Sequence, residues 1–181
     1  METRNIRVFG KNILSIYKHY IMSLSCEDVH ETTTSLTMEC VTNQPDKIIA
    51  GTYSIDTAKH IIKENTGKCE AFIFRNTSDE VVGTLSVMYK GGNELEYKIR
   101  NIDAFIYNVL TVEKFRGNGY ASQMIHLVMN YLQGKSIPST YLAVSTNNKS
   151  AIQAYEKAGF KKECSMSFIR ILRVNIPYKV L

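Results

Sequence analysis

The chain has no apolar run near the roughly 20 residues that a membrane-spanning helix needs. Lys11, Lys18 and His19 interrupt every apolar stretch near the start, so no signal-peptide pattern is present. The four cysteines, Cys26, Cys40, Cys69 and Cys164, form no C-x-x-C pair, which argues against a metal knuckle. His19, His30, His60 and His126 show no ligand spacing either, so no metal is expected. Free thiols then point to a reducing, cytoplasmic setting. No dense Lys/Arg tract interleaved with aromatics occurs, and no nucleic-acid partner is expected. The two Asn-x-Ser triplets, Asn76-Thr77-Ser78 and Asn148-Lys149-Ser150, read as chance matches.

What is present is an ordinary globular composition, 44% apolar and 22% charged. A length of 181 residues suits one domain. At that size about 70% of the unfolded surface can be buried. The net charge of +5 suits an anionic ligand and equally a generic soluble surface.

The chain is organised around Phe115-Arg116-Gly117-Asn118-Gly119-Tyr120-Ala121. Before it, Ala104 to Thr111 reads as a strand; after it, Ser122 to Leu132 reads as a helix. A glycine-rich turn opening a helix leaves backbone N–H groups unpaired. With the helix dipole they form an anion site. Gly117 and Gly119 lack Cβ, so a ligand oxygen can come close to the main chain. Arg116 adds a fixed charge. The local reading is a phosphate cradle, with a tight structural turn as the alternative. The dinucleotide fingerprint fails, because Ser122 stands where a third Gly or Ala is needed and no acid ends the next strand. A P-loop fails too: Gly134-Lys135-Ser136 would need a glycine at Met129.

A second segment sharpens the reading: Asn148-Lys149-Ser150-Ala151-Ile152-Gln153-Ala154-Tyr155-Glu156-Lys157-Ala158-Gly159-Phe160. The order Arg-x-x-Gly-x-Ala, helix, strand, Asn-x-x-Ala-x-x-x-Tyr-x-Lys-x-Gly-Phe resembles the GNAT superfamily of acyl-CoA-dependent N-acetyltransferases. The resemblance is strong from about Cys69 to Phe160 and weak before it. It implies a mixed, mostly antiparallel α/β sheet flanked by helices on both faces and splayed at the cofactor site. The implied division is a variable acceptor-side region (1–68), a cofactor-binding core (69–160) and C-terminal strands (161–181).

Along the chain, Asn5 to Phe9 reads as a short strand and Asn12 to Leu24 as a helix, with Ile13, Leu14, Tyr17, Ile21 and Leu24 at helical spacing. Thr33 to Val41 reads as a strand or an ordered loop. Ile55 to Glu64 reads as a second helix. Cys69 to Arg75 and Val81 to Tyr89 form an antiparallel hairpin, and Gly91-Gly92-Asn93 ends it. In the helix after the cradle, Ala121, Met124, Ile125, Val128, Tyr131 and Leu132 form the apolar stripe. Gly134 is expected to stop that helix. Thr140 to Val144 is a strand, Lys149 to Ala158 a helix stopped by Gly159, and Lys161 to Met166 and Ser167 to Val174 two last strands.

Amide formation from a thioester needs a neutral amine, close alignment, donors to the oxyanion and a proton for the thiolate. The resemblance assigns acetyl-CoA as co-substrate. Its diphosphate would lie on Arg116, Gly117, Asn118, Gly119, Tyr120 and Ala121. Its pantetheine arm would pair with main-chain groups of Val109, Leu110 and Thr111. Asn148 would contact the cofactor, with helix capping as the competing reading. Tyr155 matches the position of the acid that protonates the thiolate; a phenol near pKa 10 is matched to a thiol near 8.5. Core packing is the competing reading of Tyr155. Base candidates are Glu94, Glu96, Asp103, Tyr107, Asn108 and His60. Cys26 or Cys40 could form an acyl-enzyme, but neither pairs with a histidine, so direct attack is preferred. The expected acceptor is a small-molecule primary amine, an amino sugar or amino-acid-like. A catalytically silent acyl-CoA-binding module and a protein N-terminal or lysine acetyltransferase are the alternatives. A homodimer stays open as an assembly.

Overall fold

The computed structural model describes residues 4–8, 11–29, 34–42, 68–89, 104–171 and 174–178. They form a nine-stranded sheet and two α-helices. The strands are β1 (Arg4–Val8), β2 (Lys11–Ser25), β3 (Thr37–Cys40), β4 (Cys69–Arg75), β5 (Val81–Tyr89), β6 (Ala104–Thr111), β7 (Ser139–Ser145), β8 (Lys161–Ile171) and β9 (Val174–Tyr178). The helices are α1 (Tyr120–Gly134) and α2 (Lys149–Lys157). The sheet order is β3-β4-β5-β6-β7-β2-β8-β9, with β1 also on β2. Every neighbouring pair is antiparallel except β6–β7. This is the mixed, mostly antiparallel sheet that the motifs implied.

The β4–β5 hairpin and β6 form over the residues expected. Alternation explains why: in β4, Phe72 and Phe74 face α1, whereas Cys69, Ala71 and Ile73 form a separate cluster on the other face. α1 buries Met124, Ile125, Val128, Met129 and Leu132 against the sheet, so the stripe is as the spacing predicts. Tyr131 is half-buried instead. Its ring packs edge-on to Phe72 at 5.3 Å, and its hydroxyl donates to Glu70 Oε1 at 3.0 Å. Lys135 adds a 2.7 Å bond to the same oxygen, and the Tyr89 hydroxyl bonds to Glu70 Oε2. The C-terminal end of α1 is therefore bolted to β4 and β5, with a cation where the dipole favours one. α1 and α2 share one face and one core cluster.

Three expectations are corrected. Asn12 to Leu24 is not a helix; it is most of β2. The helical spacing of Ile13, Leu14, Tyr17, Ile21 and Leu24 was coincidental with a strand rich in β-branched and aromatic residues. Tertiary pairing decides the matter. His19–Ser25 pairs with β7 on one edge, and Leu14–Ser23 pairs with β8 on the other. Alternation then sends Tyr20, Met22 and Leu24 into the helix-side core. The break expected between Met166 and Ser167 is also absent. β8 runs unbroken to Ile171, because Ser167 is held by Lys18 on one side and Tyr178 on the other. Finally, Gly134 does not stop α1. It is the last helical residue, and the left-handed turn falls on Ser136 at φ 59°. Gly159, at φ 97°, ends α2 as expected. The expected helix Ile55 to Glu64 and the Gly91–Asn93 turn lie outside the described residues, as do Phe9 and Thr33.

One glycine is required by close approach. A Cβ on Gly83 would sit 2.3 Å from the Leu110 carbonyl oxygen and 2.7 Å from Met124 Sδ. Gly83 thus lets β6 and α1 both come down on β5. Gly83→Ala is expected to lower unfolding stability by about 1–3 kcal/mol, read as a shift in the urea midpoint with the slope unchanged.

Candidate functional site

The site is made where the sheet stops being a sheet. β6 and β7 pair in parallel only at Ala104–Thr140, Phe105–Tyr141 and Ile106–Leu142. Both strands continue, β6 to Thr111 and β7 to Ser145, without further pairing to each other. A gap therefore opens between Tyr107–Thr111 and Ala143–Ser145.

A bulge starts the divergence. Opposite β5, Ser86 pairs with Tyr107 and Thr84 with Leu110, so Leu85 faces two residues, Asn108 and Val109. Asn108 is left-handed, at φ 51°. An extra residue of this kind bends its strand and re-aims the groups after it. Leu110, beyond the bulge, is 39% exposed and is the one large apolar side chain exposed among the described residues. Val109 packs against the helix-side core.

The chain then passes through a short 3₁₀ turn, Glu113–Phe115, into the glycine turn. Val112 N–H donates to Val82 O at 2.9 Å, fixing the exit from β6. Phe115 meets Tyr120 edge-on at 5.9 Å, and Lys114 lies 4.7 Å over the Phe115 ring while bonding Glu80 at 2.6 Å. The turn is held from behind. Asn118 Nδ2 donates to Phe115 O at 3.1 Å, and Arg116 Nε donates to Thr111 O at 3.2 Å.

In front it is open. Gly117 and Gly119 have φ of 83° and 75°, and a Cβ on either would meet nothing within 4 Å. Gly119 is the residue before α1, and no side chain caps the helix. Among the described residues, no acceptor meets the N–H groups of Gly117 to Ala121. A helix start without a cap, flanked by an exposed arginine, has the donors and charge that suit an anion. One turn into α1, Thr34 Oγ1 donates to Gln123 Oε1 at 2.8 Å and accepts from Leu36 N at 3.1 Å, strapping the helix from the side.

Across the gap, β7 leads to α2. Asn148 caps that helix: Oδ1 accepts from Ala151 N at 3.2 Å and from Ser150 Oγ at 3.1 Å. The capping role is thus filled by the oxygen, and the Nδ2 donors remain for a ligand. Tyr155 is 8% exposed and 6.4 Å from the Phe160 ring. Burial pushes its phenol up to about 12. It is core and titratable at once.

The other sequence candidates separate. His60, Glu94, Glu96 and Asp103 lie outside the described residues. Tyr107 packs against the cluster of Met88 and Phe105 on the face away from the helices. Asn108, an amide, can orient a water but cannot take a proton at neutral pH. Cys26 is buried, 4.0 Å from Thr140 Oγ1, and burial raises its thiol pKa, which disfavours the nucleophilic thiolate. Cys40 lies 3.3 Å from Thr42 Oγ1. No group of three or more His, Cys, Asp or Glu suited to a metal occurs among the described residues. The feature that sequence reasoning missed is the bulge, since a left-handed asparagine inside a β-rich run gives no local signal.

With this geometry in view, residues 37–160 match the model of the acetyltransferase (GNAT) family. The chain belongs to that family. No curated protein sequence matches it. Among solved structures it is similar to a GCN5-related N-acetyltransferase from Sphaerobacter thermophilus, at 13% identity and TM-score 0.60 over 96% of this chain and 54% of that one. It is similar to a GNAT-family acetyltransferase from Colwellia psychrerythraea, at 12% identity and TM-score 0.58 over 90% and 56%. It is also similar to an aminoglycoside 6'-N-acetyltransferase from Acinetobacter baumannii, at 10% identity and TM-score 0.52 over 70% and 91%. The GNAT chain thus spans little more than half the length of the first two proteins. At such identities the likeness is one of fold.

Gly119→Val puts a branched side chain at φ 75°, where it is strained, and into the open space above the turn. The expected result in calorimetry is CoA binding weakened by on the order of tenfold or more, about 1.4 kcal/mol. Asn148→Ala should cost about 1 kcal/mol of stability through the lost cap, read by thermal unfolding.

Proposed function

We propose that this GNAT protein is an N-acetyltransferase that moves the acetyl group of acetyl-CoA to a primary amine of a small molecule by direct attack. The observation that carries the reading is the pairing of an uncapped helix start with a strand gap beside it. The first suits a diphosphate; the second suits an extended arm with amide groups.

In this reading the N–H groups of Gly117, Asn118, Gly119, Tyr120 and Ala121, with Arg116, hold the diphosphate. Main-chain groups of Val109, Leu110 and Thr111 hold the pantetheine arm, and one of their N–H groups polarises the thioester carbonyl. The neutral amine attacks that carbon, the nitrogen passes its surplus proton to water, and the tetrahedral oxyanion collapses with loss of the thiolate. Tyr155 gives the thiolate its proton. A phenol held at about 12 is fully protonated across the neutral range, so it is always ready to donate. Against a thiol near 8.5, it donates uphill as a free acid. Departure of the neutral thiol carries the transfer forward, and the proton shed by the amine restores the phenol through water. Asn148 contributes its Nδ2 donors to the cofactor. Direct attack is preferred because burial raises the Cys26 thiol and no histidine among the described residues is bonded to either candidate thiol. Residues 1–68 shape acceptor choice.

Calorimetry with acetyl-CoA tests the cofactor assignment: binding at micromolar to low-millimolar concentration is expected, and its absence at millimolar concentration overturns the proposal. Tyr155→Phe keeps the ring and removes the proton. It is expected to leave CoA binding intact and lower kcat by about 10²-fold or more; an unchanged kcat removes Tyr155 from the mechanism.

The pH dependence follows from the same group. Its folded-state pKa of about 12 lies above the free phenol's 10, so the stability it lends is whole below pH 10 and is lost as pH rises toward 12. No alkaline loss of kcat from Tyr155 is expected below pH 11, which a pH–rate profile of wild type checks.

A further inference from the structure

Two stretches of the sequence, 3–26 and 164–181, contain no Asp or Glu. Together they hold seven Lys and Arg residues, whereas the rest of the chain has fifteen Lys and Arg against seventeen Asp and Glu. The entire positive excess of the protein therefore resides in these two stretches. They are about as far apart in the sequence as two segments can be.

The topology sets them side by side. Only His19–Ser25 of β2 pairs with β7; Lys11–Lys18 runs on past the end of β7 at Ser145. One edge of that overhang pairs with β8, from Lys18–Ser167 to Leu14–Ile171, and β8 there pairs with β9. Leu14, Ser15 and Ile16 pair with both β8 and β1, so β1 occupies the edge that β7 uses further along. β1 thus stands end-on beyond the C-terminal end of β7. A four-stranded panel, β1-β2-β8-β9, prolongs the sheet by about 25 Å at ~3.3 Å per residue. Within it, residues 4–8, 11–18, 167–171 and 174–178 carry Arg4, Arg7, Lys11, Lys18 and Arg170 and no acid; Glu163 of β8 lies outside it, beside the part of β2 that pairs with β7. In register, Arg170 lies between Ser15 and Asn175, and Ser15 has Asn5 on its other side.

The panel projects at the end where β6 and β7 part and where α1 and α2 both begin. The uncapped turn with Arg116 is on the β6 side of the gap; the panel is on the β7 side. The diphosphate has its own cradle, which leaves the second concentration of positive charge for the other reactant. A surface of one sign raises the local concentration of oppositely charged molecules and repels like-charged ones. Resting on the amine-acetylating reading above, we propose that the acceptor is an amine that also carries an anionic group, a carboxylate or a phosphate, and that this panel selects it. Polycationic amines are excluded by the same field.

The test uses the full chain with acetyl-CoA and three probe amines: ethanolamine, O-phosphoethanolamine and spermidine. Initial rates are taken at low ionic strength and at about 0.3 M salt, where the screening length is near 6 Å. Expected is a kcat/KM for O-phosphoethanolamine on the order of tenfold above ethanolamine, with spermidine the poorest, and a preference that collapses in salt. Arg7→Glu/Arg170→Glu should erase the preference while the KM for acetyl-CoA stays the same. Arg7→Gln/Arg170→Gln should reduce it by a smaller factor and serves where charge reversal prevents folding, checked by circular dichroism. Turnover without charge preference, preference for spermidine, or a variant effect confined to the KM for acetyl-CoA overturns the inference alone. Failure to bind acetyl-CoA in calorimetry, or binding with no turnover of any of the three amines, overturns it together with the reading beneath it.

Discussion

The structure depends on where one ladder ends. β6 and β7 are the single parallel pair in the described sheet, and three residue pairs are all that join them. Parallel pairing is slightly weaker per residue than antiparallel pairing. Here it is cut short by the bulge at Asn108, which turns β6 away while β5 still holds it. Had the ladder continued to Thr111, there would be no opening, and the uncapped start of α1 would face nothing. Unpaired main-chain groups in a protein interior are costly. A strand edge that lacks a neighbour is accordingly a place for a ligand that can act as one.

The elements around that opening serve to keep it rigid. α1 is anchored at its far end by Glu70, to which Tyr131, Lys135 and Tyr89 all bond. It is strapped by Thr34 through Gln123. Gly83 removes the side chain that would keep α1 and β6 off β5. The glycine turn is braced by Asn118 and Arg116, which hold its backbone to the carbonyls of Phe115 and Thr111. A fixed array of donors needs no reorganisation when an anion arrives, which is the property that electrostatic stabilisation requires. The family membership and this geometry agree without leaning on each other.

Much of this was legible because its signals are local. Gly117, Gly119 and Gly159 all sit at positive φ, where glycine is the residue without a penalty. The Asn148 cap is likewise written into the residues around it. β4, β5 and β6 are largely apolar runs bounded by polar or turn residues, which delimits them to the residue. β2 was misread for the opposite reason. Its apolar residues fit both a helix and a strand buried on one face, and it is pairing with β1 nearby and above all with β7 and β8, more than a hundred residues away, that chooses between them. Asn108 was singled out only for its side chain, and its left-handed backbone was not foreseen because nothing short-range asks it to leave the β region. Tyr155 was foreseen on both counts, as a packed residue and as a titratable one; burial makes the two descriptions a single fact.

The placement of β2 also governs how the molecule is assembled. It lies between β7 and β8, so most of it gains these two neighbours only after more than a hundred further residues have been made. Until then only its first residues, on β1, are paired, and the rest is a ribbon with bare edges, the kind of segment that invites pairing with other chains. Contacts spanning this much sequence slow folding. The β7-β2-β8 part of the sheet therefore closes late around a strand made early, and nascent chains of this protein have reason to need shelter during that wait.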